Sequence, residues 1–146
     1  MRRIMKKNFS CGHRGLGQYC HRCVAEKALE LKASQHKREK EQKEQERVRR
    51  KLDLMNIEQE LNVKHGTFPV HVLKKAHKIV ESIRKGESIQ NFKAKKLKTI
   101  GQRSIIRIKV NDGHRIIFIQ NASDIRFLEL LTHEKYNSRI ASGGWL

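Results

Sequence analysis

Apolar and polar positions between residues 104 and 131 are spaced in a way that predicts three short strands of one sheet. Ser104–Val110 alternates apolar with polar positions along much of its length, and Ile125–Leu131 is the third segment. Ile116–Ile119 is continuously apolar, which favours a central strand covered on both faces. Asn111–Gly113 and Asn121–Asp124 are interpreted as tight turns. The Asp-Gly pair in the first turn is typical of a hairpin whose turn residues need positive φ.

Two helical patterns precede these strands. Pro69–Lys85 carries a clear apolar stripe, and Gly86 is typical of a helix C-cap. Residues 24–61 are dominated by strong helix formers and contain neither Pro nor Gly, so they predict one long helix. Ser88–Leu97 is interpreted as a second, shorter helix or a turn.

The middle of the long helix, Gln35–Arg47, has no apolar residue, so it suits neither a core nor a coiled-coil seam. We expect a solvated helix there, and a partly disordered charged linker is the alternative. Apolar residues resume at Val48, Leu52 and Met55, with Ile57 as a further candidate. We expect this stripe to dock the far end of the helix on the C-terminal domain.

All three cysteines lie near the N-terminus and, with one histidine, form the pattern C-x-H-x6-C-x2-C. Zinc binds four nitrogen or sulfur ligands as a tetrahedron, and Cys-x2-Cys is a common half of such a site. An odd number of cysteines argues against a complete set of disulfides. We predict a structural zinc ion on four ligands: Cys11, His13, Cys20 and Cys23. His21 is an alternative fourth ligand, and free thiols in a basic tail are the alternative to a metal site.

Together these patterns predict an α+β protein of three parts. A zinc-binding knuckle occupies residues 1–23, and the long charged helix occupies residues 24–61. An α+β domain at residues 62–146 packs helices on a small antiparallel sheet.

A net charge of +18 favours polyanionic partners, with nucleic acid ahead of an acidic membrane surface. No apolar run is long enough to cross a bilayer, and the basic N-terminus lacks the apolar stretch of a signal peptide. We therefore expect a cytoplasmic protein with no membrane partner.

Cationic side chains recur through the predicted sheet. Period 2 places Arg107 and Lys109 on one face of the first strand, and Arg115 enters the neighbouring strand across the turn. Four lysines lead into the sheet, and we predict that they bind an RNA backbone: Lys93, Lys95, Lys96 and Lys98. The alternative is a set of ordinary surface cations on a basic sheet.

From about Pro69 to Ile140 the chain resembles the RelE/ParE superfamily of bacterial toxin modules. The residues that carry the resemblance are RIKV at 107–110, HRIIFI at 114–119 and FLELLTHEKYNSRI at 127–140. The THEKY tail is most similar to the HigB branch. The family usually opens with a β-strand before its helices, and residues 61–68 make a poor strand. The zinc knuckle and the long helix also lie outside the usual minimal toxin.

The resemblance implies a metal-independent endoribonuclease that cleaves mRNA at the ribosome, with an antitoxin protein as a partner. In that chemistry Arg107 and Arg115 would stabilise charge on the phosphoryl oxygens. Lys109 or His133 would transfer protons, and Tyr136 would stack on a base or orient the phosphate. Packing or capping roles for His133 and Tyr136 stay open from the residues alone.

Two other functions are open at this point. ParE-like relatives with the same fold bind DNA gyrase and do not cut RNA. A third hypothesis is a non-catalytic RNA-binding or ribosome-binding zinc protein, in which the knuckle and the long helix grip the RNA. Fold similarity alone does not decide among these functions.

Overall fold

The computed structural model describes residues 5–98 and 101–146, so the first four residues of the predicted knuckle lie outside the described residues. The chain divides into two compact units, Met1–Arg49 and Arg50–Leu146. The boundary between the units falls inside a helix. Within the described ranges, no helix is long and apolar enough to span a membrane.

The N-terminal unit begins with two very short strands, β1 (Lys7–Asn8) and β2 (Arg14–Gly15), which pair in antiparallel fashion. A Cβ at Gly15 would lie 2.9 Å from the ring of Phe9, so the hairpin needs a residue without a side chain there. Helix α1 (His21–Glu60) follows. It confirms the long helix predicted from residue 24, and it begins three residues earlier than predicted.

The C-terminal unit places helices on a four-stranded antiparallel sheet, which confirms the predicted α+β class. The strand order is β3-β4-β5-β6, so β3 and β6 form the two edges. In chain order the elements are α2 (Val70–Arg84), a 3₁₀ helix (Ile89–Phe92), β3 (Lys95–Lys96), β4 (Ile105–Asn111), β5 (His114–Asn121), β6 (Asp124–Thr132) and α3 (His133–Ala141).

Helix α2 carries the main core of this unit. All of its predicted apolar stripe is buried: Val72, Leu73, Ala76, Ile79, Val80 and Ile83. Ile106, Ile116 and Phe118 of the sheet belong to the same cluster. Gly86 has a φ of +95° just past the helix, and its N–H donates to the carbonyl of Ile83, as the C-cap prediction required.

Helix α3 contributes to a second, smaller apolar cluster, made of Ile105, Ile117, Leu131 and Tyr136. Trp145, beyond the helix, packs against this cluster. The side chain of Gln102 holds the last residues in place, because its Oε1 accepts from the Trp145 N–H and its Nε2 donates to the Leu146 carbonyl. Residues 133–136, predicted from the sequence as a tail beyond the last strand, form the start of α3.

The far end of α1 packs on the C-terminal core through a different face from the predicted one. The predicted stripe is about half exposed, at 48% for Val48, 54% for Leu52 and 49% for Met55. Of the predicted stripe only the candidate Ile57 packs against the core, together with Leu54, and Leu61 just beyond the helix is buried. Helical periodicity identified the exposed stripe, and only tertiary contact decides which face is covered.

The β4–β5 hairpin forms as predicted, but its turn differs from the one expected. Neither Asp112 nor Gly113 has positive φ. Instead, the Asn111 side chain closes the turn by accepting a hydrogen bond from the Gly113 N–H at 3.0 Å. The prediction of left-handed turn residues was therefore wrong. Strand β3 was also missed, and within the described ranges no strand covers residues 61–69.

Candidate metal centre and candidate nucleic-acid interface

Four side chains of the N-terminal unit converge on one point: Cys11, His13, Cys20 and Cys23. Nδ1 of His13 lies 3.5 Å from Sγ of Cys11 and 3.4 Å from Sγ of both other cysteines. In a tetrahedral zinc site with ordinary Zn–S and Zn–N bond lengths, a sulfur and a nitrogen ligand lie about 3.5 Å apart. The spacing therefore fits zinc, and it selects His13 over His21 as the fourth ligand.

The local backbone explains how a short segment builds this cluster. The β1–β2 hairpin carries Cys11 and His13 in its loop, where the Phe9 N–H donates to the His13 carbonyl and Gly12 adopts a φ of +85°. Cys20 directly precedes α1 and Cys23 lies in its first turn, so the helix start positions the other half of the site.

The electrostatics of the thiols also call for a cation. Hydrogen bonds that the Cys23 thiol donates to the sulfurs of Cys11 and Cys20 raise the pKa of Cys23 to about 12, whereas a hydrogen bond from the backbone N–H of His13 lowers the pKa of Cys11. Three thiols this close ionise together only when a positive ion balances their charge. Four protein ligands leave no open position, so the metal here is structural.

The predicted catalytic residues of the C-terminal unit lie on neighbouring strands and on the helix that follows them. Lys109 of β4 pairs in register with Arg115 of β5, which pairs with Leu131 of β6. His133 begins α3 two residues later. Register partners project from the same face of a sheet, so Lys109 and Arg115 are neighbours.

Arg115 is buried, at 7% exposure, and its guanidinium is largely engaged with the protein. Its Nη1 donates to the carbonyls of Asn111, Asp112 and His114 at 2.7–3.2 Å. Its Nη2 contacts Nδ1 of His133 at 3.2 Å, and its Nε has no hydrogen-bond partner among the described residues. Arg115 thus closes the hairpin turn and holds His133, and it does not stand free as a phosphate clamp.

The contact with Arg115 fixes the tautomer of His133. A guanidinium can only donate, so Nδ1 must accept and Nε2 carries the ring proton. Nε2 lies 3.3 Å from Nδ2 of Asn137, and because both nitrogens then carry protons, the Asn137 amide must turn to present its oxygen to Nε2–H. His133 is exposed, so Nε2–H is also available to a ligand.

Arg107 and Tyr136 form a second contact on the α3 side of the sheet. The Arg107 guanidinium lies over the Tyr136 ring, 5.5 Å from its centroid, and the ring is 7% exposed. Trp145 packs beside Tyr136 with centroids 6.0 Å apart, and its Nε1–H donates to Glu129. The Tyr136 ring therefore packs between Arg107 and Trp145, which is a packing role.

Arg107 and Lys109 also line a cavity of about 370 Å³ at the edge of β4, on the N-terminal side of β3. Its wall contains five cations: Lys75, Lys93, Lys95, Arg107 and Lys109. Phe92 adds an aromatic surface, and the carboxylate of Asp112 pairs with Lys109, which lowers the pKa of Asp112. This cluster, called here the β4-edge cavity, has the chemistry to hold a phosphodiester backbone.

Two of the four lysines predicted to bind RNA, Lys93 and Lys95, line the β4-edge cavity. Lys96 lines a different depression, and Lys98 is exposed. Sequence reasoning missed Lys75 and Phe92, which only tertiary folding brings to this edge. It also missed Asn137, although the i,i+4 spacing from His133 would have revealed it once the helix was recognised.

Comparison with known proteins finds a similar family for a segment toward each end of the chain. Residues 70–138 match the family model of a ParE-like toxin domain, and residues 5–27 match that of a zinc-binding domain of unknown function (DUF7682). No curated protein and no solved structure matches the chain. The matches confirm the resemblance to the toxin superfamily and the zinc prediction, and a toxin domain suggests an antitoxin partner.

Proposed function

We propose that this chain, which carries a ParE-like toxin domain and an N-terminal zinc-binding domain, acts on RNA as a metal-independent endoribonuclease that cleaves mRNA at the ribosome. The observation that carries the proposal is the row formed by Lys109, Arg115 and His133 across neighbouring elements. The β4-edge cavity beside this row supplies the charge that a polyanionic substrate needs.

In the proposed reaction the 2′-hydroxyl of the RNA gives up its proton to a solvent water and attacks the adjacent phosphorus. The bond to the 5′-oxygen breaks, leaving a 2′,3′-cyclic phosphate and a 5′-hydroxyl. Arg107 and Lys109 stabilise charge on the phosphoryl oxygens, because both are cationic and neither is locked into the backbone. Of Lys109 and His133, Lys109 is the residue that gives a proton to the leaving 5′-oxygen.

The role proposed for His133 is narrower than the proton transfer expected from the sequence. With Nδ1 accepting from Arg115, the imidazole cannot receive a proton there without losing that hydrogen bond. Its exposed Nε2–H can exchange the Asn137 contact for a phosphoryl oxygen and donate to it, in the manner of a neutral electrophilic histidine. Arg115 acts as a positioning residue that fixes this orientation.

The test is cleavage of mRNA on programmed ribosomes, followed by mapping of the ends. His133→Ala is expected to slow cleavage by about 10²–10³-fold, the usual effect of removing one donor to a developing oxyanion. His71→Ala, at an exposed position of α2, is the matched control and should cleave like the wild type. Absence of cleavage by the wild type, or equal cleavage by His133→Ala, overturns the catalytic assignment.

One observation favours a second candidate, a non-catalytic RNA- or ribosome-binding zinc protein. Arg115 donates to three turn carbonyls, so of the two predicted catalytic arginines only Arg107 can move toward a substrate. Under this hypothesis Lys95→Glu/Lys109→Glu reduces co-sedimentation with ribosomes while no wild-type cleavage is detected. Arg14→Glu/Arg22→Glu in the knuckle tests whether that unit contributes to the grip.

The match to a ParE-like domain keeps a third candidate, a toxin that binds DNA gyrase. Inhibition of gyrase supercoiling by the purified chain, without mRNA cleavage, would favour it. The cations of the β4-edge cavity have no evident role in that function, which is why RNA is preferred here.

A further inference from the structure

Helix α1 carries a row of exposed apolar residues that neither the metal centre nor the β4-edge cavity uses. Six of its large apolar side chains are 48–67% exposed, and five of these recur at one spacing: Val24, Leu31, Val48, Leu52 and Met55. The sixth, Leu29, lies on another face of the helix. We propose that the row binds the same row of a second copy of this chain, with the two α1 helices paired in antiparallel orientation as a coiled coil.

The spacing of these residues is that of a coiled-coil seam. When the seven positions of the heptad repeat, a to g, are counted with Val24 at a, all five apolar residues lie at a or d. Leu54 and Ile57, which pack against the core of the C-terminal unit, lie at c and f on the opposite side of the helix. The packed end of α1 therefore leaves the seam open.

Apolar layers close both ends of this seam. Because the second helix runs in the opposite direction, its d positions come opposite the a positions of the first. Two kinds of apolar layer result, each repeated by the two-fold symmetry: Val24 with Met55, and Leu31 with Val48. Lys27, at an outer d position, faces Leu52 of the other copy, where its aliphatic stem covers the leucine and its ammonium group reaches water.

The polar middle of α1 excludes a continuous apolar seam, but its charges are complementary in this pairing. Arg38 at an a position faces Glu41 at a d position of the other copy, and the two-fold axis repeats the pair. The g positions beside the seam add two more pairs of opposite charge: Lys37 with Glu44, and Glu30 with Lys51. Glu44 pairs with Arg47 in its own helix, and because both side chains are mainly exposed, exchanging that pair costs little.

Charge also selects the occupant and its orientation. A parallel pair of helices would place Arg38 opposite Arg38 and Glu41 opposite Glu41, which is unfavourable. Helix α1 contains nearly as many acidic as basic residues, although the whole chain has a net charge of +18. It is therefore less suited to a nucleic acid than the rest of the chain, and it can approach a second copy of itself without strong repulsion.

The first test is sedimentation of the full-length, zinc-loaded chain over a concentration series from about 1 to 100 µM, where we expect a monomer–dimer equilibrium. Arg38→Glu or Glu41→Arg alone places like charges at the centre and should weaken dimerisation by about tenfold or more. The double variant Arg38→Glu/Glu41→Arg restores the pairs and should dimerise like the wild type. Lys40→Glu and Glu39→Arg, at outer positions of the same turn, are the matched controls and should also dimerise normally.

The second test reads the orientation. Ser34 at d faces Gln45 at a of the other copy, so a mixture of Ser34→Cys and Gln45→Cys chains should form a disulfide between the two variants. Neither variant alone should cross-link, and zinc holds the native cysteines. A monomer at every concentration, equal weakening by the controls, no rescue in the double variant, or cross-linking of Ser34→Cys alone overturns the proposal. None of these readouts depends on RNA cleavage, so the dimer and the nuclease can fail separately.

Discussion

The guanidinium of Arg115 donates from Nη2 to Nδ1 of His133 across 3.2 Å, while its Nη1 bonds three carbonyls of the β4–β5 hairpin. One buried side chain therefore couples the conformation of a turn to the orientation of a histidine on the next helix. Arg115, which the sequence predicts as a phosphate ligand, is therefore better described as a positioning residue.

Replacing Arg115 by Met should remove the turn bonds while keeping much of the volume. We expect a loss of about 1–3 kcal/mol in the free energy of unfolding, measured by urea denaturation. Arg126→Met, at an exposed position of β6, is the control and should change stability by less than about 0.5 kcal/mol.

The same variant has a second readout specific to positioning. In the wild type, nitrogen-15 NMR should report His133 with its proton on Nε2. In Arg115→Met both tautomers should be populated. An unchanged tautomer in the variant would mean that Arg115 does not orient His133.

The structural zinc predicts a sharp difference between two histidines. His13→Ala removes a ligand and should lower zinc affinity by more than about 100-fold, since even outer-shell changes cost 10–100-fold. His21→Ala should still bind one equivalent of zinc, measured by competition with a colorimetric chelator. Equal losses in the two variants would remove His13 from the site.

The buried carboxylate of Glu58 predicts how stability depends on pH. Its Oε2 lies 2.7 Å from Nδ1 of His65 and its Oε1 accepts from the Gly66 N–H at 3.2 Å. The His65 hydrogen bond, followed by that from Gly66, lowers the pKa of Glu58 below its usual 4.5. Stabilisation is therefore complete above the unfolded pKa and is lost as the pH falls through the folded one.

Urea denaturation at a series of pH values between 7 and 3 checks this dependence. Glu58→Gln should be less stable than the wild type at neutral pH, and the difference should shrink as the pH falls. Glu39→Gln, in the exposed middle of α1, is the control and should follow the wild-type profile. A constant difference across the range would contradict the assignment.

Two variants of Tyr136 distinguish a packing role of its ring from a role of its hydroxyl in the reaction. Tyr136→Phe retains the ring under Arg107, so stability should fall by less than about 1 kcal/mol and cleavage should persist. Tyr136→Ala opens a cavity beside Trp145 and should cost about 3–5 kcal/mol. A large loss of cleavage in Tyr136→Phe, at unchanged stability, would assign the hydroxyl a role in the reaction.

The parts of the fold that depend on periodicity were predictable from the sequence. The apolar stripe of α2, the β4–β6 meander and the zinc ligands all follow from spacing that physical chemistry constrains directly. The start of α3 was also readable, because Thr132 is an N-cap whose side chain accepts from the Lys135 N–H. That signal was missed because the apolar run ended there.

The remainder depends on tertiary contact. The sequence predicts the same phosphate-binding role for Arg115 and Arg107. Only the folded hairpin shows that Arg115 is buried against turn carbonyls, whereas Arg107 lies over the Tyr136 ring. In the same way, Lys75 on α2 and Lys109 line one cavity because β3 begins only at Lys95 and leaves the edge of β4 open beyond Arg107.

The central claim, that this face of the sheet cuts RNA by internal attack of a 2′-hydroxyl, has one most direct measurement. An mRNA is prepared with a single 2′-deoxy nucleotide at the mapped cleavage position and placed on ribosomes with the wild-type chain. We predict that cleavage at that position disappears while the all-ribose mRNA is still cut to a 2′,3′-cyclic phosphate. Undiminished cleavage of the deoxy-substituted mRNA, or no cleavage of either, would contradict it.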